Sequence, residues 1–314
     1  MNHHRRLSFL RRQAALAAAL AAALALTACG GGGSSSGGAD TFTPSEPGAP
    51  AATGNTATDG FVRFNYRRQQ AGLPALARNQ MLDAAALGHS EYQRINNVIS
   101  HDQVVGRPGF TGATTVDRLR ASGYLAGASA YAFGEVISSR SNNQGIGAAE
   151  DLIGAIYHRF IIFEPMFRDG GAGAASSGGT TYFTANLGTL GFGGGIAPNS
   201  VATYPFAGQT LVPTEVNSND EVPDPAPDDV LIGYPVSVHA NLTQKVSVRS
   251  FTIRPLGGAQ LPTLLLRPGD PNVPLSAAAI LPRSPLASGA TYEVQFSGTV
   301  DGNPFERAWT FSTR

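Results

Sequence analysis

The most informative stretch of the chain is residues 79–101, which read NQMLDAAALGHSEYQRINNVISH. Asn79 is a residue type that caps helix N-termini, and small or apolar side chains recur after it at helical spacing. The positions that share this stripe are Leu82, Ala85, Ala86, His89, Tyr92 and Gln93. The spacing therefore predicts a helix from the Asn79 cap to about Asn96, with one buried face.

Helix and strand patterns alternate around this helix, between about residue 59 and residue 197. Gly and Pro residues separate them, as at Gly72 and Pro74, where the preceding helix is predicted to end. The other predicted elements are a short helix capped by Thr114 or Thr115 and stopped by Gly123, a strand over 131–137, a helix over 148–163, and a hairpin of 170–175 with 182–187. Long helices beside a small antiparallel sheet indicate the α+β class, as an α-β-α sandwich.

The composition changes twice after this region. Residues 198–230 contain six prolines and six acidic residues but no basic one, which predicts an extended linker. Residues 231–314 alternate apolar and polar side chains, as at Tyr292-Glu293-Val294, and Asp301-Gly302 suits a hairpin turn. The segment predicts a small all-β sandwich, and its ending is similar to Ig-like modules of bacterial surface proteins.

The N-terminus has the pattern of a bacterial export signal. Four arginines precede an Ala- and Leu-rich stretch, residues 14–26, that is too short to span a bilayer. Leu26-Thr27-Ala28-Cys29 then resembles a lipobox, so residues 1–29 are predicted to be a lipoprotein signal peptide whose Cys29 carries lipid. A plain secretory signal is the alternative. The Gly-, Ser- and Pro-rich residues 30–58 predict a flexible tether. Export to the bacterial cell envelope follows, with Gly30 favouring the outer membrane, on its periplasmic or surface face.

Charge and cysteine content exclude several classes of protein. The formal net charge is +0, and without residues 1–29 the chain has 18 basic and 22 acidic residues, so nucleic acid is not an expected partner. The single cysteine is Cys29, so the folded part has neither a disulfide nor a cysteine nucleophile. It also lacks the His-Glu-x-x-His and Gly-x-Ser-x-Gly motifs of two large hydrolase classes.

The order of short motifs over almost all of 59–197 resembles the bacterial branch of the CAP superfamily, the cysteine-rich secretory/antigen 5/pathogenesis-related proteins. The matching motifs are Asn65-Tyr66-Arg67, Ala71-Gly72-Leu73-Pro74, Gly88-His89-Ser90, Ser100-His101, Thr115-Val116-Asp117-Arg118, Gly123-Tyr124, Gly134-Glu135, His158-Arg159 and Tyr182-Phe183-Thr184-Ala185-Asn186-Leu187-Gly188. The resemblance implies a CAP-type α-β-α sandwich.

The same resemblance implies a cleft lined by histidine and glutamate, in which several family members bind a divalent cation. His101, Glu135 and His158 stand at the corresponding positions, and two imidazoles with one carboxylate form a plausible ligand set for Zn²⁺, with Ca²⁺ as the other candidate. His89 is either a further cleft residue or a hydrogen-bonded structural residue, and Glu135 could instead brace a neighbouring element. Val136, where the family has Asn, departs from the pattern.

The function expected from these features is a ligand- or cation-binding or interaction module held at the cell envelope. The resemblance implies small hydrophobic molecules or other proteins as partners, beside the membrane that holds the lipid on Cys29. Enzymatic activity is not expected. The alternative is a metal-dependent hydrolase acting on peptide or cell-wall material, for which a His/Glu/His site would activate water. A purely structural envelope component is a third interpretation.

Overall fold

A computed structural model of the chain describes residues 46–314. The predicted signal peptide, Cys29 and residues 30–45 of the predicted tether lie outside them. Within 46–314, no helix combines the length and apolar character that crossing a bilayer requires.

The α-helices all lie in the first half of the described chain. They are α1 (Thr56–Gln70), α2 (Gln80–Asn96), α3 (Thr115–Ala121), α4 (Gly145–Gly154) and α5 (Ile156–Ile162). The Asn79 side chain accepts hydrogen bonds from the backbone N–H groups of Met81 and Leu82 at the start of α2. Thr114 and Asp117 form a reciprocal capping box at the start of α3. Both helix predictions are confirmed, because their start signals are local in sequence.

The prediction of one continuous helix over 148–163 is wrong. The helix is interrupted at Ala155, whose backbone is extended (ψ 120°). Two side-chain contacts stabilise the break, one local and one from the distant Glu221. Arg159 donates to the carbonyl oxygen of Ile153 (2.6 Å) at the end of α4. A Glu221 carboxylate oxygen accepts from the N–H groups of Tyr157 (2.6 Å) and His158 (3.1 Å) at the start of α5. Each contact satisfies backbone groups that a helix end leaves unpaired.

The first sheet has four strands, β1 (Ala77–Arg78), β2 (Tyr131–Arg140), β3 (Asp169–Ser177) and β4 (Thr180–Leu190). Their order is β1-β3-β4-β2, and α1 and α2 pack on opposite faces of β3. Gly170 faces Phe61 of α1, whereas a Cβ at Gly173 would lie 2.2 Å from the Leu87 nitrogen of α2. Only glycine allows α2 to lie this close to β3. The predicted α+β sandwich is confirmed, and we call residues 56–190 the helical domain.

The remaining strands form an all-β unit, the C-terminal sandwich (residues 201–313). They are β5 (Ala202–Tyr204), β6 (Gln209–Val212), β7 (Glu215–Asn217), β8 (Leu231–Gly233), β9 (Val236–His239), β10 (Val246–Pro255), β11 (Thr263–Leu266), β12 (Ala277–Pro282), β13 (Thr291–Val300) and β14 (Asn303–Thr313). Two four-stranded sheets, ordered β10-β13-β14-β6 and β11-β12-β9-β5, share one apolar core. The predicted hairpin is confirmed, because Asp301 and Gly302 both adopt positive φ between β13 and β14. The resemblance to Ig-like modules stays a prediction.

Residues 198–230 differ from the predicted extended linker. Strand β5 pairs with β9, β6 pairs with β14 and β7 pairs with β8, so this segment supplies an edge strand to each large sheet. Its prolines do not prevent this pairing, because Pro205 and Pro213 directly follow β5 and β6 instead of interrupting them. Glu221 is buried, so at this position negative charge does not keep the chain in solvent.

The last part of the predicted tether, residues 46–58, is attached to the helical domain. Glu46 accepts two hydrogen bonds from the Arg67 guanidinium of α1, at 2.7 and 3.0 Å. Asp59 accepts from the backbone N–H and hydroxyl of Thr53 at 2.8 and 2.7 Å. Helix α1 begins at Thr56, inside the predicted tether, because the Asn55 side chain accepts from the Thr58 N–H and Asp59 binds the preceding Thr53.

The helical domain and the C-terminal sandwich share a continuous apolar core. Buried side chains of both regions belong to the same cluster, including Phe163 of the helical domain and Tyr204 of β5, whose ring centroids lie 4.5 Å apart. Glu164, which follows α5, accepts hydrogen bonds from the N–H groups of Met166 and Leu242, both at 3.0 Å. Polar as well as apolar contacts therefore join the two regions.

Burial raises the pKa of this Glu164 carboxyl from its ordinary value of 4.5 to about 7. Between these two pH values the folded chain holds a proton that the unfolded chain releases. Glu164 therefore lowers the free energy of unfolding as the pH rises from 4.5 to about 7. Glu164→Gln keeps an oxygen for the two N–H donors but cannot ionise. We expect the variant to gain up to about 3 kcal/mol of unfolding free energy over the wild type between about pH 5 and about pH 8.

Urea denaturation of both proteins at the two pH values measures this gain. Glu91→Gln, at a half-exposed position on α2, is the matched control and should follow the wild type at both pH values. Parallel stability profiles of Glu164→Gln and the wild type would contradict a raised pKa for Glu164.

Candidate functional site

Three of the four predicted cleft residues form one buried cluster in the helical domain. His101 Nδ1 lies 2.9 Å from Glu135 Oε1, and His89 Nε2 lies 3.8 Å from the same oxygen. Their residue exposures are 4% for His101, 3% for Glu135 and 0% for His89. His89 comes from α2, His101 from the loop that follows it, and Glu135 from β2. The sequence motifs thus identify residues that the fold does bring together.

Arg118 of α3 completes this cluster, and we missed it as a site residue in the sequence. Its Nη2 atom lies 2.7 and 2.9 Å from the two oxygens of Glu135 and 2.9 Å from the carbonyl oxygen of His101. The Thr115 hydroxyl donates to Glu135 Oε1 at 3.1 Å. Thr115 and Arg118 stand in the motif Thr115-Val116-Asp117-Arg118, so the signal was present, but nothing in it indicated which carboxylate they contact.

The charge state of Glu135 follows from these neighbours. Burial alone would raise its pKa, but the Arg118 guanidinium and the two histidines outweigh burial and hold the pKa well below its usual range. The carboxylate is therefore ionised at neutral pH and compensated by a buried cation. The predicted bracing role of Glu135 agrees with this geometry, because its oxygens connect β2 to α3 and to the His101 loop.

His89 is held as a neutral imidazole. Its Nε2 lies 2.8 Å from the Ser100 carbonyl oxygen, which can only accept, so Nε2 carries the proton. Its Nδ1 therefore accepts from the Gln103 side-chain amide at 2.9 Å. Burial lowers the pKa of His89 to about 4, even though Glu135 opposes the shift. Because both ring nitrogens are used, the geometry supports the structural interpretation of His89.

His158 does not contact this cluster through any hydrogen bond found in the described part of the chain. Its Nδ1 instead lies 2.9 Å from Glu221 Oε1, the oxygen that also caps α5. Because Glu221 lies in the segment predicted to be a linker, the sequence contained no indication of this pair. His89 and His101 therefore lie beside Glu135, whereas His158 lies beside a different carboxylate, that of Glu221.

The arrangement does not fit the three-ligand cation centre predicted from His101, Glu135 and His158. Both oxygens of Glu135 accept hydrogen bonds from Arg118, and Oε1 also accepts from Thr115, so the carboxylate already has a cation as its partner. Among residues 46–314, no group of three or more His, Cys, Asp or Glu side chains is placed to hold a metal ion.

Comparisons with known proteins agree with the architecture of the helical domain. Residues 61–187 match the profile of the cysteine-rich secretory protein family, CAP. The chain has no significant match among curated protein sequences.

Two solved structures are similar over part of the chain. One is an extracellular protein containing an SCP domain from Bacillus anthracis str. Ames, with 26% identity over 44% of this chain and 44% of that chain and a TM-score of 0.36. The chain thus spans less than half the length of that protein. The other is venom allergen-like protein 4 of Schistosoma mansoni, with 11% identity over 47% of this chain and 92% of that chain and a TM-score of 0.30. Residues 61–187 of the helical domain therefore match a CAP domain, and the family assignment applies to this part of the chain.

Proposed function

We propose that the chain is an exported protein of the bacterial cell envelope that acts by binding a ligand or a partner protein, and not by catalysis. One observation carries this proposal. Glu135, at the centre of the predicted cleft, is buried, and both of its carboxylate oxygens accept hydrogen bonds from the Arg118 guanidinium, which balances its charge. Anchoring through a lipid on Cys29 is part of the proposal and rests on the sequence of residues 1–29.

The protonation states in this cluster support a role other than catalysis. A general acid or base works best when its pKa lies near the operating pH. The pKa of Glu135 is far below neutral, and that of His89 is lowered to about 4, so at neutral pH neither group exchanges protons readily. The hydrogen bonds that fix Glu135 would have to break before it could bind a metal or a substrate.

The binding role is supported by the way in which the C-terminal sandwich covers the helical domain. Residues 213–225 of the sandwich lie against α4 and α5 and enclose a pocket that includes His158. Small hydrophobic molecules and envelope proteins are the partners that the family resemblance implies. A divalent cation stays a prediction, which a titration can decide.

Titration calorimetry with Zn²⁺ and Ca²⁺ tests the proposal on the full chain with Cys29→Ser, beside His101→Ala/His158→Ala in the same background. We expect no stoichiometric uptake that depends on both histidines, and no turnover of casein or of peptidoglycan fragments. One bound ion in the parent that is lost in the double variant, together with turnover abolished by Glu135→Gln, would instead support the metal-dependent hydrolase.

A further inference from the structure

A second feature of the helical domain is a cavity of about 360 Å³ where it meets the C-terminal sandwich. The end of β2, the connection between α4 and α5, and residues 213–225 form its walls. We call it the junction pocket, and define it by Ser138, Glu150, His158, Glu215, Asp220 and Glu221. Its volume is at the lower end of the range for small-molecule sites, about 300–1,000 Å³.

The junction pocket has an excess of negative charge. Five carboxylate side chains line it but only two arginines, Arg140 and Arg314. Three of the five are paired within the chain. They are Glu150 with Arg63 and Arg67, Asp151 with Arg140, and Glu221 with His158. Within the described residues, Glu215 and Asp220 form no ion pair. Burial raises the pKa of the Asp220 carboxyl, and no cation opposes the shift.

Two buried polar atoms on the pocket wall point to a ligand. His158 is 1% exposed, and within residues 46–314 its Nε2 has no hydrogen-bond partner. The same is true of the Ser138 hydroxyl in this part of the chain. Leaving a buried polar atom unpaired costs about 1–3 kcal/mol, so a partner is expected for each.

The chemistry of that partner follows from the state of His158. Glu221 Oε1 already accepts two backbone N–H groups, so the proton shared with His158 lies on the imidazole Nδ1. In that tautomer the Nε2 atom presents its lone pair. A lone pair together with free carboxylates is complementary to a donor that carries positive charge. Ile99, Ile137 and Ile156 add apolar wall, which suits an aliphatic stem.

We propose that the junction pocket binds an organic ammonium ion on an aliphatic stem, as found in a lysine side chain or a free diamine. The ammonium group donates hydrogen bonds to His158 Nε2 and the Ser138 hydroxyl, while Glu215 and Asp220 supply counter-charge at the rim. This inference rests on the proposed function and names the class of ligand for it.

The test is titration calorimetry of the full chain, carrying Cys29→Ser, with the amidated peptide Ala-Lys-Ala. Both peptides are also N-acetylated, so the matched peptide Ala-norleucine-Ala keeps the stem without any charge, and 1,5-diaminopentane supplies the free amine. Glu215→Gln/Asp220→Asn removes the two unpaired carboxylates and Ser138→Ala removes the hydroxyl. Glu293→Gln/Glu306→Gln makes the same change of charge on exposed strands of the sandwich.

We expect the lysine peptide to bind and the norleucine peptide not to bind. Affinity should fall about tenfold in Glu215→Gln/Asp220→Asn and severalfold in Ser138→Ala, and stay unchanged in the control pair. If diaminopentane binds as tightly as the lysine peptide, an ammonium on an aliphatic stem is sufficient for binding. If it binds more weakly, the ligand is a lysine side chain within a peptide. Either result supports the pocket.

Equal binding of both peptides, no binding up to about 10 mM, or an unchanged affinity in Glu215→Gln/Asp220→Asn would overturn this assignment. The proposed function is tested separately, by turnover and metal uptake at Glu135. Conversely, cleavage of a lysine peptide that binds in the expected way would support the pocket and contradict a role without catalysis.

Discussion

Arg118→Met is expected to lower the free energy of unfolding by about 3–5 kcal/mol. Arg118 is 1% exposed and its guanidinium bonds both oxygens of Glu135. Methionine fills a similar volume but leaves the Glu135 carboxylate ionised or forces it to take up a proton in a buried site. Either consequence costs free energy, because a buried charge without its partner is strongly unfavourable.

A double variant separates this effect from simple loss of packing. In Arg118→Met/Glu135→Gln both charges are absent, so we expect a smaller loss than in Arg118→Met alone. Arg120→Met on the exposed side of α3 is the matched control and should change stability by less than about 0.5 kcal/mol. Urea denaturation followed by circular dichroism gives the three values. A single and a double variant of equal stability would show that Glu135 does not depend on Arg118.

The parts of the fold that were predicted correctly are those whose signals are local. Asn79 and Thr114 begin helices through side-chain bonds to residues two or three positions away, and Asp301-Gly302 forms its turn from its own backbone preferences. Alternation and helical spacing likewise act within a few residues. These features could be identified from short windows of sequence because their physical cause lies inside the window.

The parts that were missed depend on residues distant in sequence. Glu221 caps α5 from 63 positions away, and Arg159 donates a hydrogen bond to the carbonyl oxygen of Pro235, 76 positions away. A segment with six prolines and six acidic residues has the composition of a linker, yet β5 and β6 gain partners from β9 and β14. Composition describes how a segment behaves alone, and these contacts exist only after both regions have folded.

The candidate site shows the same division. The family resemblance located His101 and Glu135, and the structure places them 2.9 Å apart. It could not show that Arg118 would neutralise Glu135 or that His158 would bond Glu221 instead. The identity of a residue follows from a motif, but its protonation state follows from its neighbours. For this chain the neighbours divide the predicted ligand set between two carboxylates, Glu135 and Glu221.

The second large effect is expected at the junction of the two regions, where Arg159→Met should lower the free energy of unfolding by about 3–5 kcal/mol. The Arg159 side chain donates to the carbonyl oxygens of Ile153 (2.6 Å) and Pro235 (2.5 Å). Its guanidinium carbon also lies 5.0 and 4.8 Å from the ring centroids of Tyr204 and Tyr234. Methionine would leave both carbonyl groups without this donor.

Two optical probes can show whether this residue also joins the two regions into one cooperative unit. The single tryptophan, Trp309, is buried in the C-terminal sandwich, whereas in the described chain the α-helices all lie in the helical domain. Fluorescence and circular dichroism thus follow different regions during urea denaturation. We expect coincident transitions in the wild type, because the core is continuous, and separate transitions in Arg159→Met.

Arg307→Met, on an exposed position of β14, should behave as the wild type. Arg159→Met could instead have the same urea midpoint as Arg307→Met, with coincident fluorescence and circular dichroism transitions. In that case apolar contacts such as that between Phe163 and Tyr204 would be sufficient to couple the regions.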